Sequence, residues 1–278
     1  MELDINHLRS WIGATRESRD EISPRLAGSL AAVLDEPCVL APGDAAPTGI
    51  QWCLCPDIAP MSELGPDGHP ARGGFLPPVP LPRRMWAGGE LRFSGDFRVG
   101  DEVVRRSRVA DVAVKSGRSG ALCFVTVMHD YATPRGHALS ERHDIVYRAL
   151  APPLPPTAPP AAMPIPDENR VVAATPVLLM RYSAASFNGH RIHYDRAYCR
   201  DEELYPGLIV HGPLQASFLL CLACRMAGGH LPALFSFRGT APLFDGPAFS
   251  VNGLREDDHA RLWVADGDRR VTMEAQAR

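Results

Sequence analysis

The sequence predicts an α+β fold made of two similar antiparallel β units, and three observations lead to that prediction. The chain has 278 residues, which fits two domains of ordinary size, each able to bury its own core. A proline-rich segment, ALAPPLPPTAPPAAMPIP, occupies residues 149–166. On both sides of that segment, a helix and several short strands follow one another in a similar order. We therefore expect one structural plan to be used twice.

The proline-rich segment is predicted to be an interdomain linker. Its prolines remove backbone N–H donors and hold extended conformations that are incompatible with a helix or a central strand. The predicted division is an amino-terminal unit at residues 1–148, a linker at 149–166 and a carboxyl-terminal unit at 167–278.

The strands are predicted from alternation of apolar and polar residues and from turn residues between them. Before the linker, residues 91–131 hold LRFSGDFRVGDEVVRRSRVADVAV, a turn at KSGRSG and the strand ALCFVTVMHDY. After it, residues 234–277 hold FSFRGTAPLFDG, then PAFSVNGLREDDHARLWVAD, a turn at 266–268 and RRVTMEAQA. Both runs predict an antiparallel meander that ends in a long hairpin.

Each half also contains one predicted helix. Residues 23–34 begin with Ser-Pro, a favourable cap and first-turn pair, and residues 211–227 are almost entirely apolar after the first turn. A helix that is apolar all round must be wrapped by other structure. A curved antiparallel sheet around one buried helix is the hotdog arrangement, so we expect a double hotdog: two antiparallel sheets, each wrapping a central helix. Periodicity alone also allows a generic α+β pair of domains.

Composition excludes several classes of function. The chain has 29 basic and 32 acidic residues and no long Lys/Arg block, so a nucleic-acid partner is not expected. The first nine residues do not resemble a signal or transit peptide, and no 18-residue apolar run follows, so no membrane partner is expected either. Seven cysteines, an odd number, indicate buried reduced thiols and a cytoplasmic location. Cys221 and Cys224 have CxxC spacing but lie in an apolar run and are interpreted as core residues.

The segment RYSAASFNGHRIHYDRAYC, residues 181–199, carries the strongest functional signal. It resembles the hydratase-2 motif of MaoC-like enoyl-CoA hydratases, whose core reads Ser-Gly-Asp-x-Asn-Pro-aliphatic-His and is followed by a small residue. The matching positions are Ser186, Ile192, His193 and Cys199. Asn188 stands at the aspartate position and His190 at the asparagine position, which are departures from that motif.

The form FNxHRIHYD is typical of one branch of this family. That branch contains the mesaconyl-C4-CoA and itaconyl-CoA hydratases and the mitochondrial-type 3-hydroxyacyl-thioester dehydratases. FLPPVPLPRRMWAGGELRF at residues 75–93, the KSGRSGALCFVTV hairpin, DIVYR at 144–148 and the His-Gly pair at 211–212 are also similar to it. The resemblance covers nearly the whole chain. It implies an acyl-CoA substrate, no metal and no other cofactor, and a homo-oligomer such as a dimer.

The resemblance implies a hydratase or dehydratase of an α,β-unsaturated acyl thioester. Such a reaction needs a base for water, a proton donor for the α carbon and positive potential at the thioester oxygen. We expect His193 to be the base and Asn188 to orient the water. Gly212, at the predicted helix start, would offer a backbone N–H to the developing oxyanion. The alternative is that His193 and His190 are ordinary polar loop residues.

Further residues are expected to contact the substrate. Arg83 and Arg84 are candidates because arginine binds carboxylate and phosphate bidentately, although a solvated charge pair beside a proline turn is equally consistent. Trp86 is expected to line the pocket or to close the core. The remaining candidates are His190, Arg191, Tyr194 and His211. For His211 a helix cap and a place beside the substrate both stay open, and Asp195 is expected to cap a following helical turn.

Three classes of function are consistent with the sequence. A hydratase explains Asn188, His193 and the His-Gly pair together, with a short branched dicarboxylic acyl-CoA such as mesaconyl-C4-CoA or itaconyl-CoA as substrate, or a fatty-acid-type 3-hydroxyacyl thioester in the dehydration direction. A hotdog thioesterase normally has a carboxylate on its central helix, and residues 213–226 contain none. A noncatalytic acyl-thioester-binding protein would explain the missing aspartate.

Overall fold

The computed structural model of the protein describes residues 3–37, 39–117, 120–150 and 163–278. The α-helices among these residues are α1 Ile5–Arg9, α2 Pro24–Leu34, α3 Pro176–Ala185, α4 Arg196–Asp201 and α5 Gly212–Met226. The strands are β1 Thr15–Glu21, β2 Arg83–Phe93, β3 Glu102–Gly117, β4 Gly120–Thr133, β5 Gly136–Arg148, β6 Glu168–Val172, β7 Leu234–Gly239, β8 Phe249–Arg255, β9 Ala260–Ala265 and β10 Val271–Ala277.

The strands form a single sheet in the order β1-β3-β4-β5-β2-β7-β10-β9-β8-β6. Strand β2 pairs antiparallel with β7 and joins the two halves, with Gly88 opposite Arg238 and Arg92 opposite Leu234. Read outward from that junction, each half repeats one order: an inner strand, then the three strands of a meander, then a short edge strand. The double hotdog prediction is confirmed, and its two sheets are continuous.

The two predicted helices are confirmed. α2 begins after Ser23, whose hydroxyl accepts a hydrogen bond from the backbone N–H of Leu26 at 3.2 Å. α5 occupies the predicted apolar run and is buried along most of its length, because it lies against strands of the carboxyl-terminal meander and against β2 and β7. None of the described helices has the length and apolarity needed to cross a membrane.

The two edge strands and α3 were not predicted. β1 (TRESRDE) and β6 (ENRVV) each pair on one side only, so exposed side chains alternate with half-buried ones and no apolar run marks the strand. The predicted linker at residues 149–166 lies largely outside the described residues, since positions 151–162 are not described.

The described cysteines are free and buried, Cys221 and Cys224 among them, as expected for core thiols.

Candidate active site

A cavity of about 1080 Å³ lies where the two halves meet. Its wall is formed by β2, β4 and β5 from the first half, by the loop before β2, and by the α3–α4 segment and the start of α5 from the second half. The sheet junction and the predicted motif therefore face one shared space.

The motif segment turns sharply between α3 and α4. α3 ends at Ala185, and the Ser186 hydroxyl donates a hydrogen bond back to the carbonyl of Tyr182 at 2.8 Å. A 3-10 turn at Arg191–His193 follows, and the Asp195 carboxylate accepts from the Tyr198 N–H at 3.0 Å as the cap of α4. The predicted capping role of Asp195 is confirmed, and these turns direct His193 inward.

His193 is buried and held in one tautomer. Its Nδ1 lies 2.7 Å from the carbonyl oxygen of Ile209, which can only accept, so Nδ1 carries the proton and Nε2 has a free lone pair. Its ring stacks on His211 with centroids 3.5 Å apart. Burial lowers the pKa of His193 to about 3. The ring is therefore neutral at neutral pH, and Nε2 is an acceptor.

Asn188 lies at the cavity wall beside the same loop. Its Oδ1 accepts from the backbone N–H of His190 at 3.0 Å, and its own backbone N–H donates to the carbonyl of Ser183 at 2.8 Å. With the carbonyl end of the amide used to hold the loop, the Nδ2 donors remain for another group.

Gly212 is the first residue of α5, and no described residue accepts a hydrogen bond from its backbone N–H. A Cβ at this position would lie 2.8 Å from Cε3 of Trp86, so only glycine fits under that ring. Trp86 stacks on Phe237 with centroids 4.5 Å apart and lines the cavity. Both interpretations of Trp86 therefore hold together: it closes the core and forms the cavity wall.

His211 occupies the N-cap position of α5 without capping it by its side chain. Its Nε2 lies 2.9 Å from the hydroxyl of Ser183, and the ring is fully buried behind His193. His211 is not among the residues that line the cavity. The side chain of His211 therefore neither caps α5 nor lies beside the cavity, the two alternatives that the sequence left open. It packs on the side of His193 that faces away from the cavity.

The two candidate arginines of β2 have different surroundings. Arg83 is buried, donates from Nε to the Glu203 carboxylate at 2.9 Å, and stacks on the ring of Tyr205 at 4.3 Å. Arg84 is half-buried at the cavity wall, and no described carboxylate lies within ion-pair distance of it. Arg84 is thus the member of the pair whose charge is open to an anion in the cavity.

The remaining candidates of the motif segment also differ in whether they line the cavity. Arg191 donates to the Asp195 carboxylate at 2.7 Å and to the carbonyl of Pro66 at 3.0 Å, and it is not among the residues that line the cavity. His190 is buried at the wall, and Tyr194 is half exposed there, with its hydroxyl donating to the Gly189 carbonyl at 3.0 Å.

A polar group in the loop before β2 was not predicted. Nδ1 of His69 lies 3.2 Å from the Asp67 carboxylate, and the ring packs on His190 with centroids 4.1 Å apart. The ligand atoms of Asp67, His69 and His190 lie within 4.8 Å of one another, so these are the described residues most able to hold a metal ion. Burial lowers the pKa of both histidines, and Arg84 lowers it further; that positive charge disfavours a cation. The signal was the GPDGHP sequence at residues 65–70.

A buried polar chain in the first half was also not predicted. The Ser107 hydroxyl lies 2.7 Å from His129 Nδ1, His129 Nε2 lies 3.3 Å from His143 Nδ1, and His143 Nε2 donates to Glu141 at 2.6 Å. Glu141 also accepts from Trp52 at 2.6 Å and is fully buried. The alternating polar residues of SERHDIVY in β5 were its only signal.

Solved structures similar to this chain have the predicted fold. A MaoC-like dehydratase from Phytophthora capsici is 13% identical with a TM-score of 0.71, and the match covers 99% of this chain and 97% of that one. A conserved hypothetical protein from Mycobacterium tuberculosis with a double hotdog fold is 14% identical with a TM-score of 0.60, covering 96% and 95%. At these identities the likeness concerns the fold alone.

Similarity in sequence shows the family of this chain as well as its fold. A mesaconyl-C(4)-CoA hydratase from Chloroflexus aurantiacus is 41% identical over 269 residues, which is 96% of this chain and 92% of the relative. A mitochondrial hydroxyacyl-thioester dehydratase type 2 from Schizosaccharomyces pombe is 27% identical over 188 residues, 58% of this chain and 61% of the relative. The family model of hydroxyacyl-thioester dehydratase type 2 matches residues 49–245. The chain belongs to the hydroxyacyl-thioester dehydratase type 2 family.

Proposed function

We propose that the protein is a hydro-lyase that adds water to, or removes it from, an α,β-unsaturated acyl-CoA. The observation that carries this proposal is the fixed tautomer of His193, whose Nε2 lone pair is free. His193 lines the same cavity as the first residues of α5. The 41% identity to a mesaconyl-C4-CoA hydratase over nearly the whole chain supports it.

In hydration, Nε2 of His193 takes a proton from water as the water oxygen bonds to the β carbon. The electron pair of the double bond moves toward the thioester, and the α carbon then receives a proton. His193 suits the first step because its lone pair is fixed in direction by the Ile209 hydrogen bond. Asn188 orients the water through its free Nδ2 donors.

The charge that develops on the thioester oxygen is stabilised at the start of α5. The Gly212 N–H has no described acceptor, and the helix dipole adds positive potential at this end. The acyl chain then lies under Trp86, with His190 and Tyr194 as further wall residues. Arg191 and His211 do not line the cavity and act on the substrate only through the residues that they hold in place, while Arg83 lines the cavity but has its guanidinium paired with Glu203.

The substrate that fits best is a short branched dicarboxylic acyl-CoA of the mesaconyl-C4-CoA kind, with itaconyl-CoA as a close relative. Arg84 has no carboxylate partner among the described residues and faces the cavity, where the second carboxylate of such a substrate would pair with it. A fatty-acid-type 3-hydroxyacyl thioester is the alternative, since the family is described by that dehydration. Its acyl chain has no second carboxylate to pair with Arg84.

The test is an assay with mesaconyl-C4-CoA, itaconyl-CoA and crotonyl-CoA that follows both the hydroxyacyl product and free CoA. We expect hydration without release of CoA, fastest with a dicarboxylic substrate. Release of CoA would indicate a thioesterase, and no turnover of any substrate would indicate a binding protein.

We further propose that residues 1–148 supply the acyl and CoA wall, residues 167–278 the hydratase motif, and residues 149–166 the connection. The protein would act in the cytoplasm as a homo-oligomer, such as a dimer, and need no metal or cofactor beyond the CoA thioester. Light scattering of the purified protein, and activity after exhaustive chelation, test the assembly and the metal independence.

A further inference from the structure

The motif segment supplies no free carboxylate to the cavity. Its one acidic residue within residues 187–195 is Asp195, and both oxygens of that side chain are used: Oδ1 caps α4 and Oδ2 accepts from Arg191. Asn188, at the position where the motif has aspartate, cannot accept a proton. A carboxylate that takes part in proton transfer must therefore come from outside the motif.

The loop before β2 brings a carboxylate and an imidazole to the same place. His69 Nδ1 lies 3.2 Å from Asp67 Oδ2, and the backbone N–H of His69 donates to Oδ1 at 3.0 Å. Because a carboxylate only accepts, Nδ1 carries the proton and Nε2 is turned away from Asp67. His69 lines the cavity and packs on His190, which in turn packs on His193 with centroids 5.4 Å apart.

Several contacts hold this loop against the motif. The Arg191 N–H donates to the carbonyl of Asp67 at 2.9 Å, and its guanidinium donates to the carbonyl of Pro66 at 3.0 Å. Gly68 has φ +84, and a Cβ there would collide with the carbonyl of Gly189. Arg191 thus has a definite task outside the cavity: it fixes Asp67 and His69 relative to the motif.

His69 differs electrostatically from the other histidines at this site. Burial and Arg84 lower the pKa of His69 below its usual value, and the hydrogen bond and charge of Asp67, with a weaker contribution from Asp57, oppose that shift only in part. The pKa values of His190 and His211 are lowered with no carboxylate to oppose the shift. Among these rings, His69 is therefore the one whose protonated form has a partner, which is what a proton donor requires.

We propose that His69, positioned by Asp67, is the second catalytic residue of the site and exchanges the proton at the α carbon. This inference rests on the proposed function. In hydration the Nε2–H bond of protonated His69 breaks as the C–H bond at the α carbon forms, and His69 becomes neutral. His193 has meanwhile gained one proton from water, and transfer of that proton to solvent while His69 regains one restores both rings. Dehydration runs the same steps in reverse.

The experiment compares wild type with His69→Gln, Asp67→Asn and a matched surface pair, His259→Gln and Asp258→Asn, in which the histidine and aspartate are 2.7 Å apart away from the cavity. We expect kcat of His69→Gln to fall by about 100-fold or more, and that of Asp67→Asn by about tenfold or more, with KM changed less than about threefold. The surface variants should match wild type.

The pH profile separates a catalytic role from a structural one. His69 is active as an acid when protonated, so kcat for hydration falls as pH rises through its pKa. Because Asp67 raises that pKa, the alkaline limb should move to lower pH in Asp67→Asn. Added imidazole should restore part of the activity of His69→Ala, which a variant damaged only in folding would not allow.

A wild-type enzyme that hydrates acyl-CoA, together with a His69→Gln variant of near-normal kcat, would overturn the role of His69 and leave the proposed function standing. An alkaline limb that stays in place in Asp67→Asn would equally overturn the pairing. Failure of wild type itself to hydrate any enoyl-CoA would count against the proposed function instead.

Discussion

The two halves of the molecule repeat one order of strands but fill the concave face of the sheet differently. In the second half, α5 buries eleven consecutive residues, from Leu214 to Cys224, against the meander, and a buried hydrogen bond from Thr272 to Gln215 at 2.8 Å ties the helix to β10. In the first half, α2 is shorter, and the middle strands carry a polar row on the same face. The members of that row are Arg105, Ser107, His129, Tyr131, Glu141 and His143.

This difference shows that two halves with the same order of strands can contribute different groups to one cavity. The second half keeps an apolar core around α5 and places one helix start and two histidines, His190 and His193, at the cavity. The first half replaces core surface by hydrogen-bonded polar groups and by a long loop that carries Asp67 and His69. Each buried polar group there needs a partner, because an unpaired one costs about 1–3 kcal/mol.

The largest expected effect on stability is at Glu141, the centre of the polar row. Glu141→Ala leaves the buried donors of Trp52, Tyr131 and His143 without an acceptor. We expect the free energy of unfolding to fall by about 3–5 kcal/mol, as for removal of one partner of a buried charged pair. The matched change in the second half, Thr272→Val, should cost about 1 kcal/mol. Urea denaturation measures both, and equal losses would refute the contrast between the halves.

The stability that Glu141 contributes should also depend on pH. Burial raises the pKa of Glu141, but the charge and hydrogen bond of His143, with the hydrogen bonds of Trp52 and Tyr131, outweigh burial and leave that pKa below 4.5. A carboxyl with a lowered folded-state pKa stabilises the protein above its unfolded value and loses that contribution as pH falls through the folded value. The stability difference between wild type and Glu141→Gln should therefore be constant near neutrality and shrink below about pH 4.5. A difference that grows on acidification would contradict the ionised state of Glu141.

A smaller effect is expected at Arg84, the residue of the first half that is proposed to bind the second carboxylate of the substrate. Arg84→Ala should raise KM for a dicarboxylic acyl-CoA by about tenfold, and for crotonyl-CoA by less than about threefold, since crotonyl-CoA has no second carboxylate. The neighbouring Arg83→Ala should instead lower the melting temperature, because it leaves Glu203 buried without its cation. Equal changes in KM for both substrates would assign Arg84 to CoA or to the fold.

The smallest effect is expected at Asn188 in the motif. Asn188→Ala should lower kcat by less than about tenfold, because water replaces an orienting amide more readily than it replaces a base. Asn188→Asp restores the carboxylate of the broader family and should add a titrating group to the pH profile. An unchanged profile in Asn188→Asp would show that this position is remote from the reacting atoms.

The sequence was sufficient for the double hotdog, though not for its edge strands, and it led to the motif half of the candidate site, whose roles stay predictions. Helix α5 and the second meander were predicted because their apolar patterns are local, and His193 and Gly212 because they lie within a short, matching segment. Asp67 and His69 were missed because they are more than a hundred residues earlier, in a loop of prolines and glycines without periodicity. Only folding shows that Arg191 ties this loop to the motif, and that Arg83 has a carboxylate partner while Arg84 has none among the described residues.

The central claim is that a single base with a fixed tautomer, His193, starts water addition at the junction of the halves. The most direct measurement is the hydration rate of His193→Ala with saturating mesaconyl-C4-CoA, alongside circular dichroism and thermal melting. We predict a loss in kcat of about 100-fold or more with an unchanged fold, the scale expected for removal of a general base. Near-normal hydration by a folded His193→Ala, for every enoyl-CoA that wild type hydrates, would contradict the claim.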